Sequence, residues 1–197
     1  MFKRLAVTAL LVGLAGTAQA ETYRIDPSHS SIGFSVRHLA ISKVKGNFNE
    51  FSGTIQFDPR DTSLWAAEVV IQTQSVDTRD PGRDNHLRTD DFFNAVEYPT
   101  MTFKSTKVKP GKKGTFELIG DLTIRDVTKP VTLKVEILGT VIDPSGVQRV
   151  GFSAGTTINR LDYGVKWSKT LEAGGLIVGQ DVDITIDIEA EMHIEEQ

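Results

Sequence analysis

The chain has 197 residues, a formal net charge of −4 and no cysteine. The absence of cysteine excludes disulfide bridges, thiolate metal sites and a lipid anchor carried by a cysteine. An acidic chain without a clustered basic stripe is a poor binder of nucleic acid, because phosphate neutralisation supplies most of that affinity, and of anionic lipid surfaces. The composition therefore favours a neutral partner that is held inside the protein.

The first twenty residues predict a signal peptide. Lys3 and Arg4 precede an apolar run over residues 5–14, and the segment Ala18-Gln19-Ala20 has the small-x-small pattern of a cleavage site. This run is too short to span a bilayer as a helix, which takes roughly 20 apolar residues, so an uncleaved membrane anchor is the disfavoured alternative. We therefore expect cleavage after Ala20, export to the periplasm of a Gram-negative bacterium, and one domain over residues 21–197.

Alternation of apolar and polar residues at period two dominates the remaining sequence. In its last segment, every second residue from Val182 to Ile194 is apolar, and most of the residues between them are acidic. The same pattern, interrupted by glycine and proline turn signals, predicts eight strands near residues 30–38, 44–57, 64–73, 100–109, 115–124, 131–142, 148–158 and 179–194. A change of phase within the second strand predicts a bulge or bend near residues 47–50.

Residues 76–99 interrupt the series of strands, because their apolar side chains do not recur at period two. Asp80 is a suitable N-cap, and Pro81 suits the first position of a helix. The segment therefore predicts one or two short helical turns that cover an end or a flank of the sheet.

Eight antiparallel strands with one apolar face predict an all-β fold, either a closed barrel or two stacked sheets. An eight-stranded barrel is wide enough either to be filled by its side chains or to hold one small ligand, and periodicity does not distinguish the two. A transmembrane barrel is disfavoured, because it needs aromatic girdles. The chain has only two tryptophans and three tyrosines, which are not grouped at strand ends.

The four histidines of the chain show no paired metal-ligand spacing, so the sequence predicts no metal site. His86 lies in a dense polar cluster over residues 77–91, where an enzyme would use it as a base oriented by Asp84 or Asp90. The favoured interpretation is a loop and short helix held by Arg–Asp pairs and capping carboxylates. His38 shares the phase of the apolar residues before it, which places it in the barrel interior or at its mouth, most simply as a structural histidine.

Six segments, in order and with similar spacing, resemble the YceI-like family of polyisoprenoid-binding domains. They are DPSHSSIGFSVRHL (26–39), VKGNFNEFSGTIQFDP (44–59), SVDTRDPGRDNHLRTDDFF (75–93), YPTMTFKST (98–106), GDLTIRDVTKPVTL (120–133) and INRLDYG (158–164). The resemblance covers residues 22–194. It implies an extended, lipocalin-like barrel of eight antiparallel strands with an elongated pocket for a polyprenyl compound or an isoprenoid quinone. It also implies a link of some members to stress responses and no catalytic residue set.

Pattern and resemblance together predict a periplasmic carrier of a long-chain isoprenoid lipid, without cofactor or metal. The predicted ligand-binding residues are inward-facing strand residues with a few polar-tipped residues near turns: Ile32, Phe34, Val36, His38, Phe103, Leu118, Leu122, Leu133, Val135, Phe152, Tyr163, Trp167, Ile184, Ile186 and Ile188. Two alternatives stay open, an enzyme that modifies such a lipid through His86 or His38, and a filled barrel that acts as a stress or interaction module. A homodimer through an exposed edge strand is a further prediction.

Overall fold

Eleven β-strands form one antiparallel sheet in the computed structural model, which describes residues 20–112, 114–169 and 176–193. The strands are β1 (Glu21–Ile25), β2 (Ser31–His38), β3 (Ser42–Phe48), β4 (Phe51–Phe57), β5 (Ala66–Gln72), β6 (Val76–Asp77), β7 (Thr100–Pro110), β8 (Thr115–Ile124), β9 (Val127–Ile142), β10 (Gln148–Asn159) and β11 (Val178–Met192). Residues 1–19 of the predicted signal peptide, which spans residues 1–20, lie outside the described residues. Within the described ranges, no helix is long and apolar enough to cross a bilayer.

The sheet closes into a barrel because β11 pairs with two strands in succession. The first part of β11 pairs with β2, from Val178 opposite His38 onward, and its last part pairs with β1, where Ala190 lies opposite Ile25. Strands β1 and β2 therefore act as one interrupted strand, and β4 and β3, their partners on the other side, act as a second. With β5, β7, β8, β9 and β10 between β4 and β11, this gives the predicted closed barrel of eight antiparallel strand positions.

Two of the strand predictions need correction. The predicted strand 44–57 consists of β3 and β4, which are separated by Asn49 and Glu50. The bend was predicted there, and it is a full break because the backbone N–H of Asn49 donates to Ser75 instead of continuing the ladder. The short β1 was missed altogether, because only Tyr23 and Ile25 of its five residues are buried, too few to show alternation.

The predicted helical segment contains one α-helix, α1 (Pro81–Arg88), and covers one end of the barrel. Asp80 is its N-cap and accepts from the N–H of Arg83 at 2.9 Å, as predicted. The predicted Arg–Asp pairs are not how this segment is held. Arg83 and Arg88 donate to backbone carbonyls instead, Arg83 to Thr78 at 2.8 Å and Arg88 to Val76 at 2.7 Å. Arg125, in the β8–β9 turn, donates to the carbonyl of Phe92 at 2.7 Å and joins the segment to this barrel end.

The break between β1 and β2 is held by charge on the outer surface of the barrel. The guanidinium of Arg149 donates to Asp26 at 3.0 Å, to Asp143 at 2.8 Å and to Glu189 at 2.9 Å. These contacts tie the loop after β1 to β10, β11 and the β9–β10 turn. Charge-assisted hydrogen bonds of this kind fix orientation as well as adding energy, so the loop between β1 and β2 is held in a defined position on the barrel wall.

Candidate functional site

The barrel encloses a cavity that runs through its interior and is bounded almost wholly by carbon atoms. Strands β1–β5 and β7–β11 all contribute to its wall, together with α1 and the segment that follows the helix. The cavity has a volume of about 240 Å³. An empty cavity with apolar walls stays dry, so the interior contains open apolar space and is not a filled core.

Most residues predicted to bind the ligand line this cavity, and all of these except Tyr163, which lies in the turn after β10, come from strands. They are Ile32, Phe34, Val36, Phe103, Leu118, Leu122, Leu133, Val135, Phe152, Tyr163, Ile184, Ile186 and Ile188. His38 and Trp167 lie outside the cavity lining. His38 is the last residue of β2, at the barrel rim, and Trp167 packs against the aromatic rings of His86 and Phe92. Binding of a ligand by the lining residues stays a prediction.

One end of the cavity is built from aromatic rings. Trp65 lies 4.5 Å from Phe116 and 4.9 Å from Phe57, measured between ring centroids, and Phe57 meets Phe152 edge-to-face at 5.5 Å. The indole N–H of Trp65 donates to the carbonyl of Asp58 at 2.6 Å, which fixes the ring while leaving its apolar body toward the cavity. Such rings bury a large apolar area at well-defined positions.

Two polar side chains line the other end of the cavity. Arg160 is buried, and its guanidinium donates to the carbonyls of Val165 at 2.6 Å and of Gly179 at 2.8 Å; burial lowers the pKa of Arg160. Tyr163 is also buried, and burial, with a smaller effect of the charge of Asp162, raises the pKa of its phenol to about 12. Tyr163 therefore stays protonated at neutral pH and has a hydroxyl hydrogen to donate.

The structure places His86 outside the cavity and gives it a different partner from the predicted ones. Its Nε2 lies 2.8 Å from Oδ2 of Asp91. Asp84, one of the two predicted partners, instead caps the backbone N–H of Thr78 at 2.8 Å and is buried. The predicted pairing with Asp84 or Asp90 is therefore wrong, because the turn after α1 brings Asp91 to the histidine.

One group of side chains has the composition of a metal site. Potential ligand atoms of Asp26, His29 and Glu189 all lie within 4.8 Å of one another on the outer surface. The guanidinium of Arg149 already donates to both Asp26 and Glu189. The guanidinium neutralises the two carboxylates as a metal ion would, so ion pairing with Arg149 explains why these side chains lie together.

Sequence reasoning missed several lining residues. Phe48 and Ile55 alternate as expected, but the break between β3 and β4 hid which face was inward. Leu87, Phe92 and Phe93 reach the cavity from α1 and the turn that follows it. Strand periodicity carries no signal for them, since their positions depend on how the segment folds over the barrel end.

Comparison with known proteins identifies the family of this barrel. A model of the YceI-like domain matches residues 23–190. The chain belongs to the YceI-like family. It is 40% identical to a UPF0312 protein of Pseudomonas paraeruginosa over 191 residues, which cover 95% of this chain and 96% of that protein. It is 41% identical to a UPF0312 protein of Vibrio parahaemolyticus over 169 residues, which cover 84% and 89% of the two chains.

Solved structures share the fold of this YceI-like chain. The YceI protein of Campylobacter jejuni is 36% identical, with a TM-score of 0.68 over 80% of this chain and 90% of that one. BcnA of Burkholderia cenocepacia is 23% identical, with a TM-score of 0.74 over 84% and 98%. A polyisoprenoid binding domain from Saccharophagus degradans is 18% identical, with a TM-score of 0.64 over 89% and 100%. The latter two likenesses are of fold.

Proposed function

We propose that this YceI-like protein binds a long-chain isoprenoid lipid, a polyprenyl compound or an isoprenoid quinone, inside its barrel. The observation that carries the proposal is the continuous carbon-lined cavity along the barrel interior. Each methylene group moved from water into such a cavity gains about 0.8 kcal/mol, so a long apolar tail supplies a large driving force without specific polar contacts. The solved polyisoprenoid binding domain with the same fold supports this ligand class.

The size of the cavity sets how much of the tail is buried. Its volume is about 240 Å³, and its lining extends from the aromatic rings around Trp65 to Arg160 and Tyr163 at the other end. Selectivity then comes from the length and width of the cavity more than from hydrogen bonds.

Binding without chemistry is part of the proposal. Among the described residues, the cavity lining includes no histidine, carboxylate, lysine or serine, and its polar side chains are Gln56, Thr156, Arg160 and Tyr163. General acid–base catalysis needs a group with a pKa near the working pH within hydrogen-bonding reach of the reacting atoms, and burial raises the pKa of Tyr163 to about 12, far from neutral pH. His86, which pairs with Asp91 outside the cavity, does not meet that requirement.

The site of action is proposed to be the periplasm, where the protein would carry the lipid and serve in a stress response. Support comes from the N-terminal sequence, in which a short positive region and an apolar run end at Ala20. The homodimer stays a prediction. Leu138, Val141 and Ile142 on the outer part of β9 are exposed apolar residues at which a second copy would pack.

Lipid binding is tested by a substitution that places a larger side chain in the cavity. Ile186 lines the cavity, whereas its neighbour Asp187 is exposed on the same strand. Ile186→Trp is expected to lower the binding stoichiometry or the affinity for a prenol such as geranylgeraniol, measured by native mass spectrometry and calorimetry. Asp187→Trp, the matched control, is expected to bind like the wild type. Unchanged binding by folded Ile186→Trp protein would show that the ligand does not occupy this cavity.

A further inference from the structure

The hairpin formed by β2 and β3 ends in an exposed apolar tip. His38 pairs with Ser42, so a turn of three residues, Leu39, Ala40 and Ile41, forms this tip. Ile41 is 84% exposed, and Ala40 is exposed as well. Surface turns are usually built from glycine, proline and small polar residues, so three apolar residues in this position need a physical reason.

The backbone of the tip has a conformation that apolar residues rarely adopt. The φ angles of Leu39 and Ala40 are 51° and 59°, in the left-handed region that favours glycine, asparagine and aspartate. In the described part of the chain, six residues other than glycine have a positive φ, and these two are the ones without a polar side chain. The tip therefore keeps apolar side chains against the preference of its own turn.

Basic side chains flank the tip on both strands of the hairpin. Arg37, Lys43 and Lys45 are all exposed, and residues 27–49 contain no aspartate or glutamate. Lys43 also forms an ion pair with Asp183 of β11, at 2.7 Å. The hairpin is thus a positively charged element on a chain whose formal net charge is −4.

The tip lies next to one end of the cavity. Phe34 and Val36 of β2 line the cavity, and the strand runs on from them to the tip. The backbone N–H of Leu39 donates to the carbonyl of Ile177 at 2.9 Å, beside Val178, where β11 begins and which also lines the cavity. A partner that binds the tip is therefore brought close to this end of the cavity.

A bilayer surface fits the tip better than a protein partner does. A stable protein interface takes roughly 800 Å² from each partner, more than a tip of three residues supplies. A bilayer accepts individual apolar side chains at the boundary between its head groups and acyl chains, and anionic lipids attract nearby lysine and arginine side chains. The aliphatic parts of Arg37 and Lys45 can lie along the lipid while their charges stay at the head groups.

We propose that the tip docks this protein on a bilayer that contains anionic phospholipids, with Ile41 inserted among the lipids and the basic residues of the hairpin at the head groups. Docking holds one end of the barrel against the membrane in which an isoprenoid lipid resides. The inference rests on the proposed function for its purpose, but vesicle binding is measured without an isoprenoid ligand, so the two are tested separately.

The apolar contribution is tested by sedimentation with vesicles of phosphatidylcholine, alone or mixed with phosphatidylglycerol. Ile41→Ser is expected to lower partitioning onto the mixed vesicles by about tenfold, because one isoleucine side chain no longer leaves water. Ile142→Ser is the matched control, since Ile142 is also exposed but ends β9 at the opposite end of the barrel. It is expected to bind the vesicles like the wild type.

The contribution of charge is tested on the same two kinds of vesicle. Lys45→Gln is expected to weaken binding to the mixed vesicles by about fivefold and to leave binding to phosphatidylcholine unchanged, because one cation near an anionic surface is lost. Lys109→Gln removes the same charge near the far end of β7 and is expected to change neither. Equal effects of the two substitutions would overturn the assignment of the basic residues.

A double substitution separates docking from a structural role of the tip. Leu39→Asn with Ala40→Gly supplies residues that favour a positive φ, so the midpoint of urea denaturation is expected to equal or exceed that of the wild type. Vesicle binding is nevertheless expected to weaken by about fivefold or more, because the tip has lost apolar surface. Unchanged vesicle binding by this folded variant would overturn the proposal.

The remaining outcomes distinguish docking from lipid binding in the cavity. Equal vesicle binding by the wild type, Ile41→Ser and Ile142→Ser, or no binding by the wild type, overturns docking and favours a protein partner for the tip. Geranylgeraniol binding without vesicles is expected to be the same in all these variants, because the substituted residues lie outside the cavity lining. Failure of the wild type to bind geranylgeraniol overturns the proposed function, whereas the vesicle result then still decides docking.

Discussion

The ring of Phe34 lies directly over Gly46, its cross-strand partner in β3. A Cβ atom at position 46 would stand 2.5 Å from Cζ of Phe34 and 2.7 Å from Cγ2 of Thr78. Phe34 also packs against Phe48, with ring centroids 5.7 Å apart, and lines the cavity. Gly46 therefore gives the Phe34 ring room to lie against the wall, which keeps the cavity open.

Gly46→Ala is expected to push Phe34 toward the cavity. Overpacking of this kind lowers the free energy of unfolding by about 1–3 kcal/mol, and the displaced ring also reduces the space for a ligand. Urea denaturation and geranylgeraniol titration measure the two effects. Gly151→Ala is the control, because the nearest atom to its new Cβ is 3.5 Å away. Equal stability and affinity in the two variants would contradict the role given to Gly46.

The two tryptophans provide a test of where the ligand lies. Trp65 lines the cavity, whereas Trp167 packs on His86 and Phe92 outside it. In Trp167→Phe protein, geranylgeraniol is expected to change the intensity and wavelength of the fluorescence emission, because the bound ligand would lie against the indole of Trp65. In Trp65→Phe protein, the emission of the remaining tryptophan is expected to stay constant. The reverse pattern would place the ligand at the outer surface near α1.

Stability at acidic pH is expected to depend on Arg149. Hydrogen bonds from Ser28 and His29, with a further one from Arg149, hold the pKa of Asp26 well below its usual range, and Ser145 and Arg149 do the same for Asp143. A carboxyl whose pKa is lowered in the folded state stabilises the protein above the unfolded-state pKa of about 4 and loses that contribution as the pH falls below it.

Arg149→Met is therefore expected to lower the unfolding free energy at pH 7 and to flatten its decline between about pH 5 and pH 2. Urea denaturation across that range measures both. Lys104→Met is the matched loss of one cation, since Lys104 pairs with Glu68 where both side chains are more than half exposed. Parallel pH profiles for the wild type and Arg149→Met would refute the assigned role of the guanidinium.

His86→Ala is expected to bind geranylgeraniol within about twofold of the wild type, because surface substitutions away from a site change binding little. It is also expected that neither protein converts the bound lipid, as followed by chromatography of the extracted ligand. Product formed by the wild type and lost in His86→Ala would instead establish the enzymatic alternative.

The long strands and their inward faces follow from the sequence. β11 alternates from Val182 to Met192, and its apolar residues, such as Ile184 and Ile188, lie inward because a strand has a side-chain period of two. The short β1 carries too few inward residues to be recognised, and pairing with β11 and β4 stabilises it.

The cavity itself was beyond the reach of periodicity. Alternation identifies inward positions but not their total volume, which depends on details such as the close approach of Phe103 to Gly120. Nothing in the sequence indicates that the pairing between β9 and β10 ends where Gly155 lies opposite Lys134, because both strands continue beyond that point and pair with their other neighbours, β8 and β11. Contacts between distant segments determine both features.

The central claim is that an isoprenoid lipid occupies the barrel, and mass spectrometry of the native protein tests it most directly. The protein is purified from cells of its native host, weighed under native conditions, and extracted with organic solvent. We predict a native mass above that of the bare chain and one isoprenoid species in the extract, in stoichiometric amount. A native mass equal to the bare chain, together with an empty extract, would contradict the account.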